Sequence, residues 1–411
     1  MPELDSRSGY HFKEFVILVA LLTSMIALAI DAMLPALPQI GTDFNVTDTN
    51  DTQLVVVMVF VGLSFGQFFY GPLSDSIGRK PTILIGMGLF IVGDLISIFA
   101  SDYNTFLFGR FLQGLGVASP KVVSIALIRD LYVGKAMARV MSFMMTIFIL
   151  VPVLAPGLGQ LVLMVSEWRS IFIIFLILAV VLSIWFSLRM PETLVPEKRR
   201  PMTFEYLFNS SKEVLTHPVA MGYTLLSGIV FGAFMGYLNL AQPILQQQYQ
   251  LAEQFPIYFG GLAAAIGVST LVNARLLSRF GMQLLSLISL GSIVTLSLLY
   301  LPVVYWFDGH PPLITLICYL LLVFFSVGLL FGNLSALAME PLGHIAGIGA
   351  GLVSSLSTVL GVIPGVIIGQ LYNNTLYPMV GGYLILFSLG LLLGLRLYRN
   401  TPRNDESGAK S

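Results

Sequence analysis

Apolar residues fill the chain in twelve long runs separated by short polar breaks. The runs cover about 14–38, 53–73, 81–100, 104–129, 138–164, 168–190, 218–244, 255–279, 282–303, 312–338, 345–372 and 376–397. A helix rising about 1.5 Å per residue needs about 20 apolar residues to cross a hydrocarbon layer about 30 Å thick, so each run predicts one membrane-spanning helix, numbered 1 to 12 in chain order. Runs longer than that imply tilt, kinks or protrusion. One break is unlike the others. Residues 191–217, PETLVPEKRRPMTFEYLFNSSKEVLTH, hold Pro191 and Pro196, the basic cluster Lys198, Arg199 and Arg200, and the pattern of an amphipathic surface helix from Thr203. This interval reads as a linker between two six-helix halves, 14–190 and 218–397, with polar tails at 1–13 and 398–411.

The halves echo one another. Pro156-Gly157 followed by Gly159-Gln160-Leu161 recurs as Pro364-Gly365 followed by Gly369-Gln370-Leu371, and Gly71-x-Leu73-x-Asp75-x-x-Gly78 has a worn counterpart in Ala274-x-Leu276-x-Ser278-x-x-Gly281. Internal repeats of this kind mark secondary transporters, whose substrate site lies between the repeats near the middle of the bilayer. The fold class expected is therefore an all-α membrane protein with 12 transmembrane helices in two pseudo-symmetric six-helix bundles.

Composition agrees with the pattern and excludes several classes. Apolar residues make up 56% of the 411 and charged ones 10%, with a mean hydropathy of +0.87, where soluble domains carry about 25% charged residues. Net charge is zero, and no basic run is interleaved with aromatics, so neither nucleic acid nor an acidic partner is implied. The single cysteine, Cys318, excludes an intrachain disulfide and reads as a small buried hydrophobe. The first apolar run is too long for a signal-peptide core, so helix 1 is expected to stay in the mature protein. No phosphate-binding P-loop and no HExxH occur, and the four histidines are scattered, which argues against ATP drive and against an enzyme. Of the 21 Lys and Arg, 18 fall on the side that carries both termini, Arg169 falls on the other, and Arg110 and Lys121 lie within helix 4. Both termini are expected to be cytoplasmic.

Four charges sit in the interior of the apolar runs: Asp31, Asp94, Arg110 and Lys121. A charge at that depth costs at least about 2.5 to 3.5 kcal/mol, so each marks a candidate site. Asp31 lies about 27 Å along helix 1 from Lys13, and Arg110 about 28 Å along helix 4 from Arg129, so the two share one depth. Desolvation and a nearby guanidinium act on a carboxyl group in opposite senses, which makes Asp31 a proton site whose affinity depends on which face admits water. A static clamp of helix 1 on helix 4 is the competing reading. Asp94, about 21 Å along helix 3 from Lys80, is read either as a second carboxylate or as a helix-interface contact. Lys121, about 12 Å from Arg129, either snorkels to the cytoplasmic face or lines the inner cavity, where it favours neutral or anionic substrates.

The sharpest short motif is GPLSDSIGRKP at 71–81, between helices 2 and 3. Gly71 and Gly78 allow close approach and a tight turn, Pro81 suits a first helical turn, and Asp75, Arg79 and Lys80 supply fixed charges. With this loop the chain resembles the major facilitator superfamily, whose signature there is G-x-L-x-D-x-x-G-R-K. IDAMLPALPQI at 30–40, RFLQGLG at 110–116 with Arg129-Asp130-Leu131-Tyr132 and PVLAPGLGQL at 152–161 narrow the resemblance, and PET at 191–193, closing helix 6, fits its extension over the whole chain. They point to the drug:proton antiporters, and within them to the bicyclomycin/chloramphenicol-resistance branch.

The resemblance implies a proton-coupled multidrug efflux antiporter of the bacterial inner membrane. It would export small lipophilic, amphenicol-like compounds by alternating access, driven by the proton gradient with no cofactor or metal, as a monomer in the lipid bilayer. An exporter of an endogenous metabolite, an amino acid derivative or a siderophore, would use the same scaffold. Proton coupling is implied at Asp31 and Arg110. A cytoplasmic gate is implied at Gly71, Asp75, Gly78, Arg79, Lys80 and Asp130, with Asp75 facing the start of helix 11 and Arg79 pairing with Asp130. Pro152, Pro156, Gly157 and Gly159 correspond to the antiporter signature and predict a bend in helix 5. Asp31, Arg110, Gln113, Lys121, Tyr237, Asn239 and Gln242 are expected to line the substrate cavity. The branch's second acidic residue in helix 1 is absent here, where Thr23 and Ser24 stand.

Overall fold

The computed structural model describes residues 12–199 and 202–400. The tails 1–11 and 401–411 and Arg200 and Pro201 lie outside the described residues, as do the side chains of Lys135 and Lys198. Part of the basic asymmetry therefore has no structural counterpart.

Among the described residues twelve long helices follow the apolar runs: α1 Phe12–Asp31, α2 Leu54–Ile77, α3 Arg79–Phe99, α4 Tyr103–Leu131, α5 Gly134–Val165, α6 Arg169–Arg189, α7 Pro218–Gln242, α8 Phe255–Phe280, α9 Met282–Trp306, α10 Leu313–Met339, α11 Ala346–Gln370 and α12 Tyr377–Asn400. Among the described residues, eleven helices are long and apolar enough to cross a membrane, one fewer than the pattern predicts. The apolar part of α5, Leu150–Val165, is shorter than the rest. The linker folds as expected into an amphipathic helix, Phe204–Thr216, whose Glu213 meets His344 before α11 at 2.6 Å.

Helix ends follow local chemistry. Asp102 caps α4 by accepting from the Thr105 N–H at 2.9 Å and its hydroxyl at 2.6 Å, which holds the exposed Asp102 carboxyl below the ordinary value. A single residue, Gly78, separates α2 from α3 with φ 113°, and Gly281 separates α8 from α9 with φ 71°. Both are left-handed conformations that favour glycine, so the worn repeat in the sequence marks two equivalent hairpin corners.

Close packing rests on small residues, as is usual where lipid removes the hydrophobic drive for helix association. A Cβ on Gly62 or Gly114 would stand 2.0 Å or 1.9 Å from the backbone oxygen of Phe111 or Val59, so α2 and α4 touch backbone to backbone. Gly86, Gly93, Gly109 and Gly116 bring α3 against the opposite side of α4 in the same way. The equivalent contact after the linker joins α7 to α11 through Gly228, Gly232, Gly361 and Gly365. Helices before the linker pack mainly on each other, as do those after it, and the two groups meet along α2–α11 and α5–α8.

Two details depart from the sequence pattern. The first run is not one helix: α1 ends at Asp31, Leu34–Ala36 forms a 3₁₀ turn, and a short helix covers Leu37–Asp43. Pro35 and Pro38 each remove a donor and stop the regular ladder. Pro152 and Pro156, by contrast, lie within α5 without ending it. Cys318, read as buried, is exposed, because it faces outward from α10 in an apolar groove beside Leu299, Tyr300 and Leu322.

Candidate functional site

The break after Asp31 strands backbone groups inside the protein, and Arg110 answers it. In an unbroken helix the Ala29 carbonyl would receive the amide four residues on. Here the Arg110 guanidinium donates to it at 2.7 Å and to the Val55 carbonyl of α2 at 3.2 Å. Its remaining arm donates to Gln113 Oε1 at 2.5 Å, and Gln113 Nε2 in turn donates to Asp94 Oδ1 of α3. Arg110, Gln113 and Asp94 are all fully buried, and the Phe172 ring covers the guanidinium at 5.4 Å. Asp94 is thus the countercharge of Arg110, joined through one amide, and its second oxygen has no partner among the described residues.

The expected Asp31–Arg110 pair does not form. Equal depth along two helices fixes axial position but not rotation, and Arg110 turns toward α3. Asp31 is 6% exposed and, among the described residues, makes no hydrogen bond or ion pair. Its electrostatic neighbour is Tyr237 of α7, on the far side of the linker. The Tyr237 ring lies edge-on to Phe324 at 4.6 Å and stacks on Phe259 at 5.8 Å, while its hydroxyl has no partner among the described residues. Tyr383 of α12 is a further buried hydroxyl beside Tyr237, also without a partner among the described residues. The sequence reading missed Tyr383; its only signal was a phenol within an apolar run.

The α5 motif reaches the same place. A Cβ on Gly159 would stand 1.7 Å from the Ala32 carbonyl, so α5 lies directly against the α1 break beside Asp31. Gly157 faces Pro256 at 3.8 Å, and a Cβ on Gly260 would stand 2.7 Å from the Val153 carbonyl, so α5 also carries the contact to α8. Other expected cavity residues have contacts of their own, although Asn239 Oδ1 is buried with no partner among the described residues. Gln113 points to α3, Asn239 donates to the Gly365 carbonyl at 3.2 Å, and Gln242 donates to Gln246 at 3.1 Å.

At the face where α1 begins and α12 ends, the motif 71–81 forms a charged cluster. Arg79 is buried, donates to Asp130 Oδ2 at 2.9 Å and to the Ser74 hydroxyl at 2.8 Å, and is also paired with Asp75. A Cβ on Gly71 would meet the Gly347 carbonyl at an ordinary 3.6 Å, and Asp75 lies by Gly347 at the start of α11, where an anion suits the helix dipole. Lys80 reaches the Ser187 carbonyl of α6 at 2.7 Å. The sequence reading gave Glu192 no role, yet it accepts from the Arg79 and Lys80 amides at 2.9 and 3.1 Å and so caps α3. At the opposite face, Asn50 donates to the carbonyls of Gln370 and Tyr372 at 3.2 and 3.1 Å, joining the two groups of helices there as well.

A family model described as Major Facilitator Superfamily matches residues 19–366. The chain belongs to the Major Facilitator Superfamily. It is 27% identical over 404 residues to a Haemophilus influenzae protein named bicyclomycin resistance protein homolog, covering 96% of this chain and 97% of that one. It is 26% identical over 366 residues to multidrug resistance protein D of Escherichia coli, covering 84% and 88%. Its fold is similar to the partially occluded inward open conformation of the xylose transporter XylE from Escherichia coli, with a TM-score of 0.71 at 13% identity over 95% and 98% of the two chains. As a superfamily member the chain is a transporter and not an enzyme. It is a multi-pass membrane protein, in a bacterium one of the inner membrane.

Proposed function

We propose that this superfamily member is a proton-coupled multidrug efflux antiporter that exports small lipophilic compounds across the bacterial inner membrane by alternating access. On this reading α5 supplies the twelfth span, and residues 14–190 and 218–397 form two six-helix halves joined by the 191–217 linker. The face carrying the Arg79 cluster is cytoplasmic. The proton gradient drives export with no cofactor, and the chain acts as a monomer. The names of the two bacterial relatives support a drug substrate.

The observation that carries the proposal is the buried Asp31 carboxyl, without a partner among the described residues, beside Tyr237 at the junction of the two groups of helices. An unpaired carboxylate costs several kcal/mol in such a place, and a bound proton removes the charge. When the inner face opens, water reaches Asp31 and the proton leaves, while a lipophilic compound takes the space between Tyr237 and the α1 break. Return of a proton from outside resets the site. Arg110 positions this chemistry: it holds the Ala29 carbonyl and, through Gln113, Asp94, so the α1 break and α4 move together. The Asp75–Arg79–Asp130 cluster closes the cytoplasmic side and separates when that side opens.

Resistance profiling of a pump-deficient strain tests the reading. Cells expressing the wild-type chain are expected to tolerate several-fold more chloramphenicol or a related lipophilic drug, and cells expressing Asp31→Asn at equal level are expected to lose that tolerance. Tolerance that survives Asp31→Asn, or none in the wild type, overturns it.

A further inference from the structure

Of the four membrane-interior charges, Lys121 alone lies outside both the Asp31 site and the Arg110–Gln113–Asp94 network. It lies on the wall of a cavity of about 130 Å³ at the face of the Arg79 cluster, bounded by α2 and α4 on one side and α11 on the other. Among the described residues it makes no hydrogen bond or ion pair. The charged lining is unbalanced. Asp75 is the single carboxylate of the lining; it and Asp130 behind it are both engaged by Arg79, which leaves Lys121 and Arg129 without an acidic partner among the described residues. Gly347 places the first turn of α11 on the same wall, beside Asp75, where the helix dipole favours an anion. Gln67 adds an amide nitrogen with no acceptor among the described residues. The wall therefore carries surplus donors and surplus positive charge. A cation would worsen the imbalance and a neutral apolar compound would leave it, whereas an anion removes it.

We propose that this cavity is an anion-binding site in which Lys121 receives the carboxylate, sulfonate or phosphate group of an amphiphilic compound entering from that face. The transporter then takes organic anions as well as neutral compounds. The assignment of such a compound as an export substrate rests on the efflux reading above; binding itself does not.

Two dyes built on the same xanthene ring system separate charge from shape: fluorescein, an anion, and rhodamine 6G, a cation. Binding is measured by fluorescence anisotropy on the purified full chain in nanodiscs of zwitterionic lipid, with no proton gradient. Fluorescein is expected to bind the wild type, to bind K121Q about tenfold more weakly, as for loss of one charge-assisted contact, and to bind K121R nearly as well as wild type. Rhodamine 6G is expected to be unaffected or to bind K121Q better. Equal fluorescein affinity for wild type and K121Q, or no binding to wild type, overturns the proposal, and retained binding by K121R guards against misfolding. Displacement of fluorescein by phosphatidylglycerol overturns the assignment to a transported compound in favour of a lipid headgroup, and no displacement supports it. Because no gradient is used, failure of proton coupling at Asp31 would leave these results interpretable.

Discussion

Arg110 owes its position to a defect two residues from Asp31. Its guanidinium replaces the amide that the α1 break withholds from Ala29, and Asp94 balances its charge through Gln113. Removing one member of a buried charged network leaves the other exposed to the full desolvation cost, about 3 to 5 kcal/mol. Asp94→Ala is therefore expected to lower the unfolding midpoint of the purified protein markedly, while Asp94→Asn, which keeps an acceptor for Gln113, is expected to lower it less. Equal midpoints for Asp94→Ala and wild type would contradict the network. The sequence identified all four interior charges by their cost alone. Their partners were not readable, because a helix run fixes depth while the rotation of each side chain depends on which glycine faces which neighbour. Gly93 and Gly109 bring α3 and α4 close enough for Asp94 to reach Gln113, and nothing in the linear pattern ties those positions together.

The α1 break and α5 form one unit. Gly159 packs on the Ala32 carbonyl with no room for a Cβ, whereas Gly157 has ordinary clearance to Pro256. Gly159→Val is expected to cost about 1 to 3 kcal/mol by overpacking and to abolish transport by displacing Asp31. Gly157→Ala is expected to be tolerated. Drug tolerance and protein level in membranes measure both, and a fully active Gly159→Val would refute the contact. The glycines and prolines of this motif were legible as a signature, but the break against which it packs was not. The interruption is in α1, at Pro35 and Pro38, inside a run whose apolar character continues unbroken past Asp31. Hydropathy does not register a backbone break when the residues on both sides are apolar.

Along the whole chain, the two groups of helices are joined at one face by α2 against α11 around Arg79 and at the other by Asn50 with Gln370 and by α5 with α8. Opening either side must break one set of contacts. Arg79→Ala removes the cation shared by Asp75 and Asp130 and is expected to favour the state open at that face. With Cys318→Ser as background, a cysteine placed at Ser354 on the cavity wall should react several-fold faster with a membrane-impermeant thiol reagent in Arg79→Ala than in its parent. Unchanged reactivity would mean that the cluster does not act as a gate. The repeats and the loop motif made this arrangement legible early, since the corner glycines Gly78 and Gly281 and the paired proline-glycine motifs of α5 and α11 recur at equivalent elements. The role of Glu192 was hidden because the cap on α3 comes from a residue more than a hundred positions away.

The central claim is that Asp31 exchanges a proton for the transported compound. Inverted membrane vesicles loaded with a pH-sensitive dye test it directly. An imposed proton gradient should drive drug accumulation by the wild type, and adding drug should release protons. Asp31→Asn should bind the drug yet show neither gradient-driven accumulation nor drug-triggered proton release. Full accumulation and proton release by Asp31→Asn would contradict the account.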